Sequence, residues 1–297
     1  MAKFSEETLS TWTKPPSGTE ETKLLNSEKM VKEAIKEDDK LSKFSIDTFG
    51  QGSYANDTNV RLNSDIDINV CYTDGFYFAL PQGKSRVDFG IGGPSTYSFS
   101  EFKNDVETAL IKKFTKENIK RKDKCITIIG NSYRIKTDVV PTWNHRRYSE
   151  DGNYVIGTYF MSDKEIWTKN YPKQHIENGK SKNSNTYKRF KRLTRIYRKL
   201  RYKMLDDGET VNDGITSFLL ESLVWNVPNS IFNDYDSWSD RLKYSIAHLY
   251  TNTEKQEDCK NWGEVSELLY LFHSYRNWNR VDVNNFLLQT WNYLELK

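Results

Sequence analysis

One stretch, FGQGSYANDTNVRLNSDIDINV at residues 49–70, limits what this chain can fold into more than any other. Asp65 and Asp67 are two apart and interleave with Ile66, Ile68 and Val70. That period of two reads as a strand with both carboxylates on one face and the aliphatics turned to a core. Two acids side by side on a strand repel each other unless a cation sits between them. A divalent metal meets that need, and oxygen ligands suit Mg²⁺. Just upstream, Gly52-Ser53 at a strand-to-helix turn offers backbone N–H groups and a hydroxyl to a phosphate. Together these features point to a site for a metal-bound nucleoside triphosphate. An isolated Asp-x-Asp is as readily a solvated strand face; the Gly-Ser turn and a third acid make the pattern specific. That acid is Asp138, in YRIKTDVV, where alternation sets Ile135 and Val139 on one face and Asp138 on the other.

At 297 residues the chain is long enough for one large domain or two lobes sharing a cleft. A hydrophobic content of 36%, a charged content of 29% and a net charge of +3 describe a soluble globular protein. The first residues carry no apolar signal region, and no run approaches the length of a membrane span. Cys71, Cys125 and Cys259 are far apart and odd in number, which argues against a disulfide framework or a Cys-x-x-Cys metal site. A cytoplasmic setting follows as the default. The four histidines show no paired metal spacing.

The coarse pattern is α+β. A Ser17-x-x-Glu20 capping box opens a helix to about Glu37. A strand follows at Phe44–Phe49, then a turn at Gly50–Ser53 into a short helix, then the acidic strand at 64–72. Residues 83–94 read as a loop and 100–118 as a helix. Cys125–Ile129 and Tyr133–Val140 flank a Gly130-Asn131-Ser132 turn as a hairpin. From about residue 150 the chain reads as helices, at 184–205, 214–226, 236–252, 262–277 and 281–295. The expectation is a mixed α/β domain at 1–150 with an N-terminal helix, and a helical, substrate-binding lobe at 151–297.

Three further groups of residues stand out. Lys180–Lys203 holds eleven Lys or Arg in 24 residues and no acid. Phe190, Leu193, Ile196, Tyr197, Leu200 and Met204 form an apolar stripe through it at helical spacing. It is either a solvated basic face that binds RNA loosely, or a helix that turns Lys191, with Arg195 behind it, toward triphosphate oxygens, the rest being surface. The acidic site calls for such a cation. Ser217 opens SFLLESLVWNVP, where it would cap a helix or turn its hydroxyl to a phosphate. The Pro-broken segment around Asn170-Tyr171-Pro172 is a connecting loop or a nucleobase contact. Asn170 offers one donor group and one acceptor, and Tyr171 a ring to stack on.

The Gly-Ser turn, SDIDINV and the later TDVV resemble the polymerase-β-like nucleotidyltransferases. More narrowly, the chain is similar to the bacterial cyclic GMP–AMP synthase-like enzymes, the CD-NTases, of clade E, which includes cyclic UMP–AMP synthases. The similarity extends through YFMSDKEIWTKNYPKQHIENGKSKN, FKRLTRIYRKLR and SFLLESLVWNVP, most of the chain. It implies a nucleotidyltransferase palm followed by a helical lobe, with the nucleotide cleft between them. It also implies that Asp65, Asp67 and Asp138 bind Mg²⁺ and form the catalytic set. Gln51, Gly52 and Ser53 would hold the donor triphosphate, helped by Lys191 and Ser217. Asn170 falls where this clade is associated with a preference for uracil. The amide itself pairs as well with adenine as with uracil.

The expected activity is a cyclic dinucleotide synthase that joins two triphosphates, UTP and ATP favoured, through successive 3′-hydroxyl attacks with release of pyrophosphate. Cyclic UMP–AMP is the preferred product, with a cyclic dipyrimidine or dipurine open. The product would act on a separate effector in anti-phage defence, and the enzyme would work as a monomer, without a membrane and without needing nucleic acid. A nucleotidyltransferase acting on an RNA acceptor is the alternative; a net charge of only +3 weighs against it. A silent nucleotide sensor is a third possibility, opposed by the intact acids.

Overall fold

The computed structural model describes residues 3–15, 18–60, 65–273, 276 and 278–297, with the backbone alone at 18–21. In chain order the elements are α1 (Glu6–Trp12), α2 (Gly18–Lys36), β1 (Ile46–Gln51), α3 (Gly52–Ala55), β2 (Ile66–Ala79), α4 (Phe99–Phe114), β3 (Ile119–Arg121), β4 (Ile126–Ile128), β5 (Thr137–Tyr148), β6 (Tyr154–Met161), β7 (Trp167–Asn170), α5 (Pro172–Asn185), α6 (Arg189–Asp206), α7 (Ser217–Trp225), α8 (Asn229–Asn233), α9 (Trp238–Thr253), α10 (Gln256–Cys259) and α11 (Arg280–Tyr293). Two compact units result. One comprises Ser17–Tyr54 and Leu62–Pro172; the other comprises Met1–Pro16, Ala55–Arg61 and Lys173–Lys297. The expected capping box at Ser17 lies outside the described residues, as does Ser64.

The first unit is a seven-stranded mixed sheet in the order β1-β2-β5-β4-β3, with β6 on β5 and β7 on β6. β2 and β5 run parallel, and the other pairs are antiparallel. The alternation in the acidic strand sends Ile66, Ile68 and Val70 into a core with Val31 of α2, Phe102, Val106 and Leu110 of α4, and Ile126 and Val139. Each such side chain contributes about 1.5–3 kcal/mol when fully buried. α4 starts where expected because Ser98 and Glu101 form a reciprocal capping box. The carboxylates of the acidic strand leave from the opposite face.

The second unit centres on α6. Its stripe of Phe190, Leu193, Ile196, Tyr197 and Leu200 packs with Leu220 and Leu223 of α7, Ile246 and Leu249 of α9, and Phe286 and Leu287 of α11.

The structure differs from expectation in several places. Residues 154–170 are not part of a helical half: β6 and β7 extend the sheet, and Pro172 opens α5 at the first helical position, where its missing N–H costs nothing. The change of character falls at Pro172 rather than 150, and α1 with Ala55–Arg61 groups with the helices. The predicted helix at 184–205 is two helices, parted where Tyr187 and Lys188 take positive φ. The predicted helix at 262–277 is replaced, among the described residues, by turns and a Gly263–Tyr270 bridge. There Asn226 brackets Gly263, donating to its carbonyl at 2.8 Å and accepting from its N–H at 3.3 Å, while Asn178 donates to the Val265 carbonyl at 2.9 Å. Among the described residues no helix is long and apolar enough to cross a membrane.

Candidate active site

Three strand registers bring the expected residues onto one row. Gln51 stands opposite Asp67, Asp67 opposite Asp138, and Asp138 opposite Thr127. Partners across a sheet share a face, so Gln51, Asp67, Asp138 and Thr127 emerge side by side. The chain leaves β1 through Gly52 at φ +69, a conformation L side chains rarely adopt. A Cβ at Gly52 would lie 2.2 Å from Asp67 Oδ2. Only glycine lets the turn and the carboxylate come this close. Gly52 also opens the single turn of α3, and Ser53 is its second residue.

The row is held by neighbours that the residue pattern did not single out. The Thr127 hydroxyl donates to Asp138, and Lys122 Nζ lies 3.4 Å from the same oxygen. Behind Gln51 runs a short ladder: Thr142 Oγ1 donates to Asn69 Oδ1 at 2.7 Å, and Asn69 Nδ2 donates to Gln51 Oε1 at 3.0 Å. With its oxygen engaged, Gln51 presents its amide NH₂ beside Gly52. Asp65 sits just before β2 and is ion-paired with Lys136; this bond raises the Lys136 pKa. The K-x-D spacing of Lys136 and Asp138 was a usable signal for a cation on this face. Thr127 and Lys122 had none, because their place depends on the register of the β3–β4–β5 ribbon.

The structure therefore brings Asp67 and Asp138 together and leaves Asp65 with Lys136. Among the described residues no three His, Cys, Asp or Glu side chains are gathered closely enough to hold a metal ion. The donor chemistry nonetheless fits a hard divalent cation. Two carboxylates face each other across a parallel pair, and Asp65 and Asp138 each already attract an ammonium group. Lys136 engages one oxygen of Asp65, Oδ2.

Asn170 ends β7 opposite Thr158, which stands opposite Asn144 of β5. Asn144 is six residues beyond Asp138, so Asn170 shares the face of the acids. Tyr171 does not. It is only 4% exposed, edge-on to His145, and fitted against Gly157, where a Cβ would come within 2.7 Å of its ring. Alternation turns it to the other face, so it offers no stacking platform.

In the helical unit, the cap of α7 is Thr216, whose side chain accepts from the Leu219 N–H; Ser217 is the first helical residue and is partly buried. Lys191 is 8% exposed. Burial lowers its pKa, against the pull of Asp57 and Glu221. Its neighbours on α6 are not simply surface. Arg195 donates to the Thr13 carbonyl at 2.8 Å and to Asp57 Oδ1 at 2.6 Å, and Arg198 donates to the Thr58 carbonyl at 2.7 Å. The Thr58 hydroxyl donates to Glu221 at 3.0 Å, and His175 Nε2 lies 3.1 Å from the other Glu221 oxygen. Burial opposes ionisation of Glu221, but His175, Arg198 and Thr58 outweigh it and hold the carboxyl below its usual range. This network anchors residues 57–58, just past the Gly-Ser turn.

Residues 177–295 match the cGAS/DncV-like nucleotidyltransferase C-terminal helical domain. The chain is 67% identical to the cyclic dipyrimidine nucleotide synthase CdnE of Cecembia lonarensis over 295 residues, 99% of this chain and 100% of that protein. The structure of the Elizabethkingia meningoseptica CdnE cyclic dinucleotide synthase with GTP and Apcpp superposes with a TM-score of 0.81 at 35% identity, over 98% of this chain and 99% of that one. The Rhodothermus marinus CdnE c-UMP-AMP synthase with Apcpp and Upnpp gives 0.85 at 26% identity, over 98% and 96%. With the acidic row, the glycine turn and full-length similarity in agreement, the chain belongs to the cGAS/DncV-like nucleotidyltransferases, within their CdnE group, and is an enzyme of that class.

Proposed function

We propose that this enzyme joins two nucleoside triphosphates, at least one of them UTP, into a cyclic dinucleotide. A 3′-hydroxyl oxygen forms a bond to the α-phosphorus of the second nucleotide, pyrophosphate leaves, and the hydroxyl proton is taken up. A second such attack, by the remaining 3′-hydroxyl on the remaining α-phosphate, closes the ring and releases a second pyrophosphate. The observation that carries this is the Asp67–Asp138 register beside a Gly52 that admits no side chain.

Asp67 and Asp138, joined by Asp65, would hold Mg²⁺, which supplies charge neutralisation at the triphosphate and a more acidic hydroxyl. Asp138 would accept the hydroxyl proton. Gln51, Gly52 and Ser53 hold the donor triphosphate, and Lys191 and Ser217 are further proposed contacts to it. Asn170 reads the base.

The 67% relative favours a cyclic dipyrimidine as the product; the likeness to the Rhodothermus marinus enzyme keeps cyclic UMP–AMP as a second reading. The product would act on a separate effector in anti-phage defence, in the cytoplasm, made by a monomer that needs no nucleic acid. The test is incubation with Mg²⁺ and labelled ATP, CTP, GTP and UTP, singly and in pairs, followed by phosphatase. A phosphatase-resistant product that requires UTP supports the proposal. Label transfer that occurs only with added RNA overturns it.

A further inference from the structure

The sheet face that carries Asp67 and Asp138 continues beyond them, and its next partly exposed polar rung along β5 is Asn144. Along β5 the residues on this face are Asp138, Val140, Thr142, Asn144 and Arg146. Asn144 pairs in register with Thr158, and Thr158 with Asn170, so one row crosses three strands. Two strand spacings, about 10 Å, separate the two asparagines. Both side chains stand off the same face and are partly exposed. Thr158 between them is short and only 5% exposed, so it forms a low floor.

The orientation of Asn144 is legible. Its Oδ1 lies 3.4 Å from Cys71 Sγ, whose thiol is 1% exposed and has a proton to donate. The Tyr72 carbonyl also lies near that thiol but is farther, at 3.8 Å. With its oxygen turned to Cys71, Asn144 has its amide NH₂ left to offer a ligand.

We propose that Asn144 is a second base-reading residue, donating an amide N–H to the O2 carbonyl of a pyrimidine whose other edge meets Asn170. This rests on the assignment of Asn170 to the base. O2 is the acceptor that uracil and cytosine share, and neither adenine nor guanine has a carbonyl in its place. A single ring with a hydrogen bond of about 2.9 Å on either side suits a gap between two amides. A two-ring base does not fit that gap and forfeits one of the bonds. Cys71 is a positioning residue, acting through Asn144.

The test measures kcat/KM for UTP, CTP, ATP and GTP in wild type, Asn144→Ala, Asn144→Ser and Asn170→Ala, with thermal melts to confirm folding. Asn144→Ala should lower the pyrimidine-to-purine ratio about tenfold, the effect of one lost hydrogen bond. Asn144→Ser, a smaller perturbation, should lower it in the same direction. Cys71→Ala should shift the ratio likewise, and Cys71→Ser, which keeps a donor, should restore it. If Asn170→Ala shifts the ratio and neither Asn144 variant does, the inference is overturned while the Asn170 assignment stands. If no variant shifts it, both fall.

Discussion

Gly52→Ala isolates the geometry on which the active site depends. The new Cβ would stand 2.2 Å from Asp67 Oδ2, whereas real Cβ atoms essentially never approach closer than 3.0 Å. The turn and the carboxylate must therefore part by at least about 0.8 Å, the difference of those two distances. Displacement of a reacting group by about 1 Å costs roughly a hundredfold in rate. The left-handed backbone adds about 1–2 kcal/mol of strain, which lowers the melting temperature by only a few degrees. Gly83→Ala is the matched control. Gly83 also has a positive φ, +77, but a Cβ there meets nothing within 4 Å. Initial rates of pyrophosphate release, with thermal melts, should show similar loss of stability in both variants and a rate loss of about a hundredfold only in Gly52→Ala. Full activity of a folded Gly52→Ala, or an equal rate loss in Gly83→Ala, would refute the reasoning.

Lys136→Met should free Asp65 and lower the Mg²⁺ concentration needed for half-maximal rate several-fold, as read from a Mg²⁺ titration; an unchanged or higher requirement would show that Lys136 does not compete for Asp65. Arg198→Met removes a buried guanidinium from Thr58 and Glu221 and should destabilise the helical unit by about 3 kcal/mol in urea unfolding, with a loss under 1 kcal/mol counting against the anchoring network. His145 is buried with its pKa pushed down to about 4 by desolvation, below the ordinary 6.5. As pH falls from 6.5 toward 4 the unfolded chain takes up a proton that the folded chain refuses, so about 3 kcal/mol of stability is lost over that window and is fully present above it. His145→Phe should flatten this part of the urea-measured stability profile relative to the parent, and a parallel profile would exclude His145 as its cause.

Local periodicity made much of the molecule legible in advance. The acidic strand, the Gly-Ser turn, the start of α4 and the stripe of α6 are each written in fewer than twenty consecutive residues, and the structure places them close to expectation. What stayed hidden depends on partners distant in the chain. β7 is only four residues long, and Gly157 interrupts the pattern of β6 because Tyr171 needs the space. Residues 262–277 have helical spacing, but Asn226, just past the end of α7, and Asn178 of α5 take backbone groups a helix would use. The inward turn of Arg195 and Arg198 required the segment at 57–58 to dock on α6. Thr127, Lys122 and Asn144 join the face of the acids only through sheet register. The burial of Tyr171 was within reach: once Asn170 is known to end a strand, its neighbour must face the other way.

The most direct test of the account counts pyrophosphate against product. Purified enzyme is given Mg²⁺, UTP and each second nucleotide in turn, and pyrophosphate is quantified beside the phosphatase-resistant dinucleotide identified by mass. Ring closure predicts two pyrophosphates per dinucleotide, a product mass matching a cyclic species, and loss of both signals in Asp67→Asn. One pyrophosphate per dinucleotide, with a product that phosphatase degrades, would contradict cyclisation and leave a linear nucleotidyl transfer in its place.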